Sequence, residues 1–128
     1  MTLDENISTC LSDRLIQDNF HVVRLSPDEM LQKNRELLQH DYLTDVITCV
    51  MGEDLPRQIV VFICPEVIQA NAQALNIQYA LEEKRVLIHA HLHTLGFADH
   101  TKNQKNLMRL LENELMSCST WKQSLTLL

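Results

Sequence analysis

Glycine and proline are nearly missing from this chain, with two glycines and three prolines in 128 residues. That scarcity excludes Gly/Pro-rich linkers and low-complexity disorder, and no internal repeat marks a solenoid. Aromatic residues make up 5% of the chain, too few for an extended platform on which bases would stack. Long apolar runs are also lacking. The run IVVFIC over 59–64 falls far short of the roughly 20 residues that span a bilayer, so no membrane partner is expected. The opening MTLDENISTC is polar and acidic, unlike a secretory signal. Cations are outnumbered by acids, 11 to 17, for a net charge of −6. A broad basic surface is thereby excluded, and DNA is not an expected partner. Cys10, Cys49, Cys64 and Cys118 include no CxxC pair. A domain of this length needs no disulfides, so they read as mostly buried free thiols in a reducing cytoplasm.

What is present is the composition of a core-forming protein, 45% hydrophobic and 22% charged, and its length suits a single domain over 1–128. Apolar spacing predicts a helix over 3–19, and the β-branched stretch 20–26 predicts a strand. Ser26, Pro27 and Glu29 make a capping box that opens a helix over 26–38. The segment 40–50 begins as a turn and becomes a strand, and 59–64 reads as a strand buried on both faces. Helices follow over 65–76, from Tyr79 to a cap at Gly96, and over 101–117, while the tail WKQSLTLL stays unassigned. The expected fold is α+β: a small mixed sheet of three to four strands packed against about five helices.

The chemistry concentrates in HAHLHTLGFADH, residues 89–100. His89 and His93 stand one helical turn apart on one face, where a single metal ion can take both imidazoles. His91 lies roughly 160° around the helix from His93 and is no natural third ligand. Gly96 ends the helix and turns the chain back, which brings Asp99 and His100 within reach as third ligand. Three protein ligands leave a coordination position open, and an N-rich set suits zinc or a similar cation. The expected metal site therefore sits at the C-terminal end of a central helix. It is not an HExxH protease site, because Ala90 stands where that motif carries its glutamate. Lys102, Lys105 and Arg109 share a helix face just after the ligands, and Lys84 and Arg85 precede them, forming a small basic rim sufficient for a few phosphates. Asp41, Thr44 and Asp45 read as turn and capping residues, with Asp45 a candidate hydrogen-bond partner of a metal-bound histidine.

The segment resembles the motif H-G-x-L-H-L-x-G-Y-D-H of the bacterial YbeY proteins, rRNA maturation factors and metal-dependent endoribonucleases. His89, Leu92, His93 and Gly96 match, and Phe97 replaces the tyrosine. HDYLTDVIT over 40–48 resembles a second family segment, Met108 fits a third position, and the likeness covers roughly 20–116. Anchoring on Gly96 and Met108 places Asp99 at the third metal position, beside His89 and His93, and leaves His100 as a candidate acid/base. The resemblance implies a zinc-dependent endoribonuclease that cleaves single-stranded RNA in rRNA maturation and ribosome quality control. Its implied partners are ribosomal RNA, the ribosome and associated factors. Gln58 stands where many members carry Asp, and Leu38 where many carry Arg, with Arg35 nearby. These departures support an alternative: a catalytically impaired, metal-binding, ribosome-associated module.

Overall fold

The computed structural model describes residues 18–52, 54 and 56–117, and 125–127 as backbone. The helix expected over 3–19 falls mostly outside the described residues. Within them, Asp18 is a bend and Asn19 already opens the first strand.

The elements follow in the order β1 (Asn19–Arg24), α1 (Pro27–Lys33), a π-helical turn (Asn34–Leu38), β2 (Val46–Met51), β3 (Gln58–Ile63), α2 (Pro65–Leu75), α3 (Tyr79–Thr94), α4 (Lys102–Met116) and β4 (Leu125–Leu127). The strands form one mixed sheet in the order β2-β3-β1-β4. β3 runs antiparallel to β2 and parallel to β1, with Val22 opposite Val61. β4, in the tail that sequence left unassigned, adds to β1 in parallel. The α+β class and the mixed sheet agree with the sequence reading. Four α-helices and the π turn are described, against about five helices expected.

β3 lies between two strands, with one face fully buried and the other half-buried, so apolar residues occupy both faces. Ile59, Val61 and Ile63 face the main core with Phe20 and Val22 of β1. Helices α2, α3 and α4 close that core through Ile68, Val86, Ile88, Leu92, Met108, Leu111 and Leu115. Phe62 joins a smaller cluster with Met30, Ile47 and Cys64. Cys64 is a buried free thiol and Cys49 a half-buried one. No described helix is long and apolar enough to cross a membrane.

The helix at 26–38 differs from expectation in its second half. Ser26 and Glu29 form the capping box, but regular α geometry stops at Lys33 and a π turn carries the chain to Leu38. Buried Asn34 explains the change. Its amide donates to the Met30 carbonyl at 3.2 Å and to Thr44 Oγ1 at 3.0 Å. Competition from such a side chain loosens the backbone ladder.

Two devices fix the C-terminal end of α3, where the site lies. Arg57 donates to both Asp18 carboxylate oxygens, at 3.0 and 2.6 Å, and to the Thr94 carbonyl at 3.0 Å. Asp18 is fully buried and Arg57 partly so. Beyond Thr94 the chain closes a Schellman turn: Phe97 N–H donates to the Leu92 carbonyl, and Gly96 N–H to that of His93. Gly96 takes φ +97°, a conformation that costs glycine little and other residues more. At the far side of the loop, Thr101 and Gln104 form a second capping box. Gln104 Oε1 also accepts from His100 N–H at 3.0 Å. The short loop between α3 and α4, which carries Asp99, is thus pinned at both ends.

Candidate metal centre

His89, His93 and Asp99 converge, each half-buried, with one ligand atom apiece inside a 4.8 Å span. The two imidazoles come from consecutive turns of α3, and Asp99 returns from the loop that the Gly96 turn redirects. His89 Nε2 lies 2.8 Å from His93 Nε2. Asp99 Oδ2 lies 3.3 Å from the first nitrogen and 3.6 Å from the second.

Hydrogen bonding fixes which nitrogens carry protons. His93 Nδ1 sits 2.9 Å from the Phe97 carbonyl, and a carbonyl only accepts, so Nδ1 is the protonated nitrogen. His89 Nδ1 sits 2.7 Å from Glu112 Oε2, and the same reasoning protonates it toward the carboxylate. Both Nε2 lone pairs therefore face one another and a carboxylate oxygen. Three electron-rich atoms this close repel unless a cation, proton or metal, lies among them. A tetrahedral ion at about 2.0–2.1 Å from its ligands needs edges of roughly 3.3 Å. The two edges to Asp99 match, and the histidine edge would open by about half an ångström. The donor set of two imidazoles and a carboxylate fits a zinc-type ion.

The electrostatics agree. Burial depresses the His89 pKa, but the hydrogen bond and charge of Glu112, with the charges of Asp99 and Asp45, outweigh it and leave it above the usual histidine value. This pocket of negative potential attracts positive charge. His91, between the two ligands in sequence, points the other way. It is 2% exposed, with its ring edge-on to Phe20 at 3.7 Å between centroids. Burial lowers its pKa to about 3, so it is a neutral core residue.

The cluster opens into a cleft between α3, α4 and the start of β2. Asp45, Glu82, Arg85, Lys105, Arg109 and Glu112 contribute to its walls. Burial raises the Asp45 carboxyl, against its own and the Val46 backbone N–H groups. Burial likewise raises Glu82, with the Arg85 charge opposing and Asp45 and Glu112 adding to the rise. Lys105 and Arg109 are exposed on this wall. Of the other cations of the expected rim, Lys102 is exposed and does not line the cleft, while Lys84 and Arg85 have protein partners. Lys84 donates to the Met116 carbonyl at 3.0 Å. Arg85 pairs with Glu112 at 3.5 Å and donates to Asn113 at 3.2 Å.

Three sequence expectations meet their positions here. His100, next to Asp99, is exposed and does not line the cleft. Among the described residues Asp45 makes no hydrogen bond to a histidine; Glu112 does so instead. Sequence reasoning missed Glu112 and Glu82, though a signal existed. Glu112 interrupts the apolar stripe Met108, Leu111, Leu115, and Glu82 begins the α3 face that continues through Val86, His89 and His93. Gln58 and Leu38 lie outside the cleft. Gln58 hydrogen-bonds His21 at 2.9 Å. Leu38 is exposed at the end of the π turn, where Arg35 pairs with Asp41.

Fold and site together define an α+β protein with a histidine–carboxylate cluster at the mouth of a cleft. Comparison with known proteins narrows this. The family model described as endoribonuclease YbeY matches residues 3–119, further toward both ends than the sequence motifs reach. A Thermotoga neapolitana protein named endoribonuclease YbeY is 30% identical over 98% of this chain and 85% of its own length. One from Christiangramia forsetii is 43% identical over 68% of this chain and 62% of its own length. A solution structure of a Thermotoga maritima protein shares the fold, at TM-score 0.53 and 22% identity, covering 89% of this chain and 85% of that one. The chain belongs to the YbeY endoribonuclease family.

Proposed function

We propose that this protein is a metal-dependent endoribonuclease that cleaves single-stranded RNA in rRNA maturation and ribosome quality control. The observation that carries the metal part is the triangle of His89 Nε2, His93 Nε2 and Asp99 Oδ2, with edges of 2.8, 3.3 and 3.6 Å. These three residues would hold one ion, with zinc best suited to the donor set. Such an ion, when bound, supplies Lewis acidity toward water and a phosphoryl oxygen. Family membership supports RNA as the substrate and the hydrolysis of its phosphodiester bonds as the reaction.

The chain's own residues divide the remaining work. Lys105 and Arg109, exposed on the cleft wall, bind backbone phosphates beside the cluster. Two cations suffice to seat a short single strand in an otherwise acidic protein. His100 is exposed and adjacent to Asp99, which suits it to carry a proton between the site and solvent. The protein works in the cytoplasm on ribosomal RNA, with the ribosome and its factors as partners and neither membrane nor DNA involved. The free thiols and acidic charge support that placement.

The test is cleavage of a single-stranded RNA oligonucleotide by metal-loaded and chelator-treated protein, beside His93→Ala and His100→Gln. Cleavage requires metal and His93, and His100→Gln lowers kcat more than it changes KM. The exposed, uncharged Leu38 favours one alternative, a ribosome-associated module impaired in catalysis. Metal binding and ribosome binding without cleavage would establish that alternative.

A further inference from the structure

We infer that Glu112 is a positioning residue that holds His89 in its ligand-competent tautomer, and that Arg85 sets which carboxylate oxygen does so. The inference rests on the metal-site reading above. Glu112 is 8% exposed. It lies on α4, a different helix from both histidines, and its two oxygens have separate partners. Oε2 accepts from His89 Nδ1 at 2.7 Å, and Oε1 faces Arg85 Nη1 at 3.5 Å. Arg85 is itself held by Asn113, one residue beyond. Neutral imidazole carries one proton. Left alone it can sit on Nε2, where it would block the lone pair that must face His93 and Asp99. The carboxylate on the opposite nitrogen draws the proton to Nδ1 and orients the ring. The Phe97 carbonyl does the same for His93 at 2.9 Å. A helix–loop turn thus locks one ligand and a neighbouring helix locks the other, so metal binding reads the packing of α4 on α3. Partners of this kind are typically worth about 10–100-fold in metal affinity.

The near-isosteric Glu112→Gln gives a specific test, because glutamine has one acceptor oxygen where glutamate has two. Arg85, a pure donor, competes for that oxygen, which turns the amide NH₂ toward His89. The measurements are the His89 tautomer, from imidazole ¹⁵N shifts of metal-free protein at mildly alkaline pH, and zinc affinity by chelator competition. Wild type holds the proton on His89 Nδ1. Glu112→Gln moves it to Nε2 and loses about 10-fold or more in zinc affinity. Glu112→Gln with Arg85→Met frees the amide oxygen and returns the proton to Nδ1, a rescue that a merely structural role would not produce. A thermal unfolding curve for each variant confirms the fold. Zinc affinity in Glu112→Gln within twofold of wild type, or a wild-type His89 protonated on Nε2, overturns the inference while leaving the metal site standing. A double variant that stays Nε2-protonated overturns the role of Arg85. A folded wild type that binds no zinc overturns the metal-site reading and this inference together.

Discussion

The buried His91 makes the stability of the fold depend on mild acid. Its ring is 2% exposed against Phe20, and burial lowers its pKa from 6.5 to about 3. Because the folded-state pKa is depressed, the unfolded chain binds the proton more readily throughout the window between those two values. Stability therefore rises with pH across that window and is complete above the unfolded value. From pH 7 to pH 5 the group costs about 2 kcal/mol, from 1.36 kcal/mol per pH unit below the unfolded pKa. The perturbation is His91→Leu, which keeps an apolar side chain against Phe20 and removes the titration. Urea unfolding of both proteins, metal-free at each pH, gives the difference directly and cancels the titration of His89 and the carboxylates. The variant gains about 2 kcal/mol on wild type between pH 7 and pH 5. A stability difference that does not change with pH would refute the reasoning.

Further predictions follow from the same geometry. Arg57→Met removes the bidentate guanidinium from the buried Asp18 carboxylate and frees the Thr94 carbonyl, which costs about 3 kcal/mol in urea unfolding. Thr101→Ala removes the cap of α4 and costs about 1 kcal/mol, read as a lower melting temperature. Lys105→Ala with Arg109→Ala leaves the fold intact but weakens single-stranded RNA binding. It reduces the slope of log affinity against log salt by roughly 1.4, about 0.7 for each phosphate contact removed.

The fold was legible in sequence where local chemistry and packing agree. The Ser26 capping box, the β3 strand and the Gly96 turn all stand where the residues placed them, although the second face of β3, at Val60 and Phe62, is half-buried where full burial was expected. Each needs only near neighbours or a uniform environment. The reading failed where a distant partner decides. The π turn after Lys33 depends on the Asn34 amide reaching Thr44 across ten residues of sequence, beyond any helical periodicity. β4 exists because β1 offers it an edge, which tail composition does not announce. The site divides in the same way. His89, His93 and Asp99 come together through one helix and its capping turn, so spacing alone brought them within reach. Glu112 comes from the next helix, and only the packing of α4 on α3 brings it to His89. The basic rim was half legible. Helical period put Lys105 and Arg109 on one face, but only the structure shows Arg85 and Lys84 engaged elsewhere.

The central claim is tested most directly by the metal content of untagged protein, set beside His93→Ala, Asp99→Ala and His100→Ala. Elemental analysis after equilibration with zinc reads the outcome. Near-stoichiometric metal in wild type and His100→Ala, lost in His93→Ala and reduced in Asp99→Ala, is the predicted result. A folded wild type that takes up no zinc, or a His93→Ala variant that retains it in full, would contradict the account.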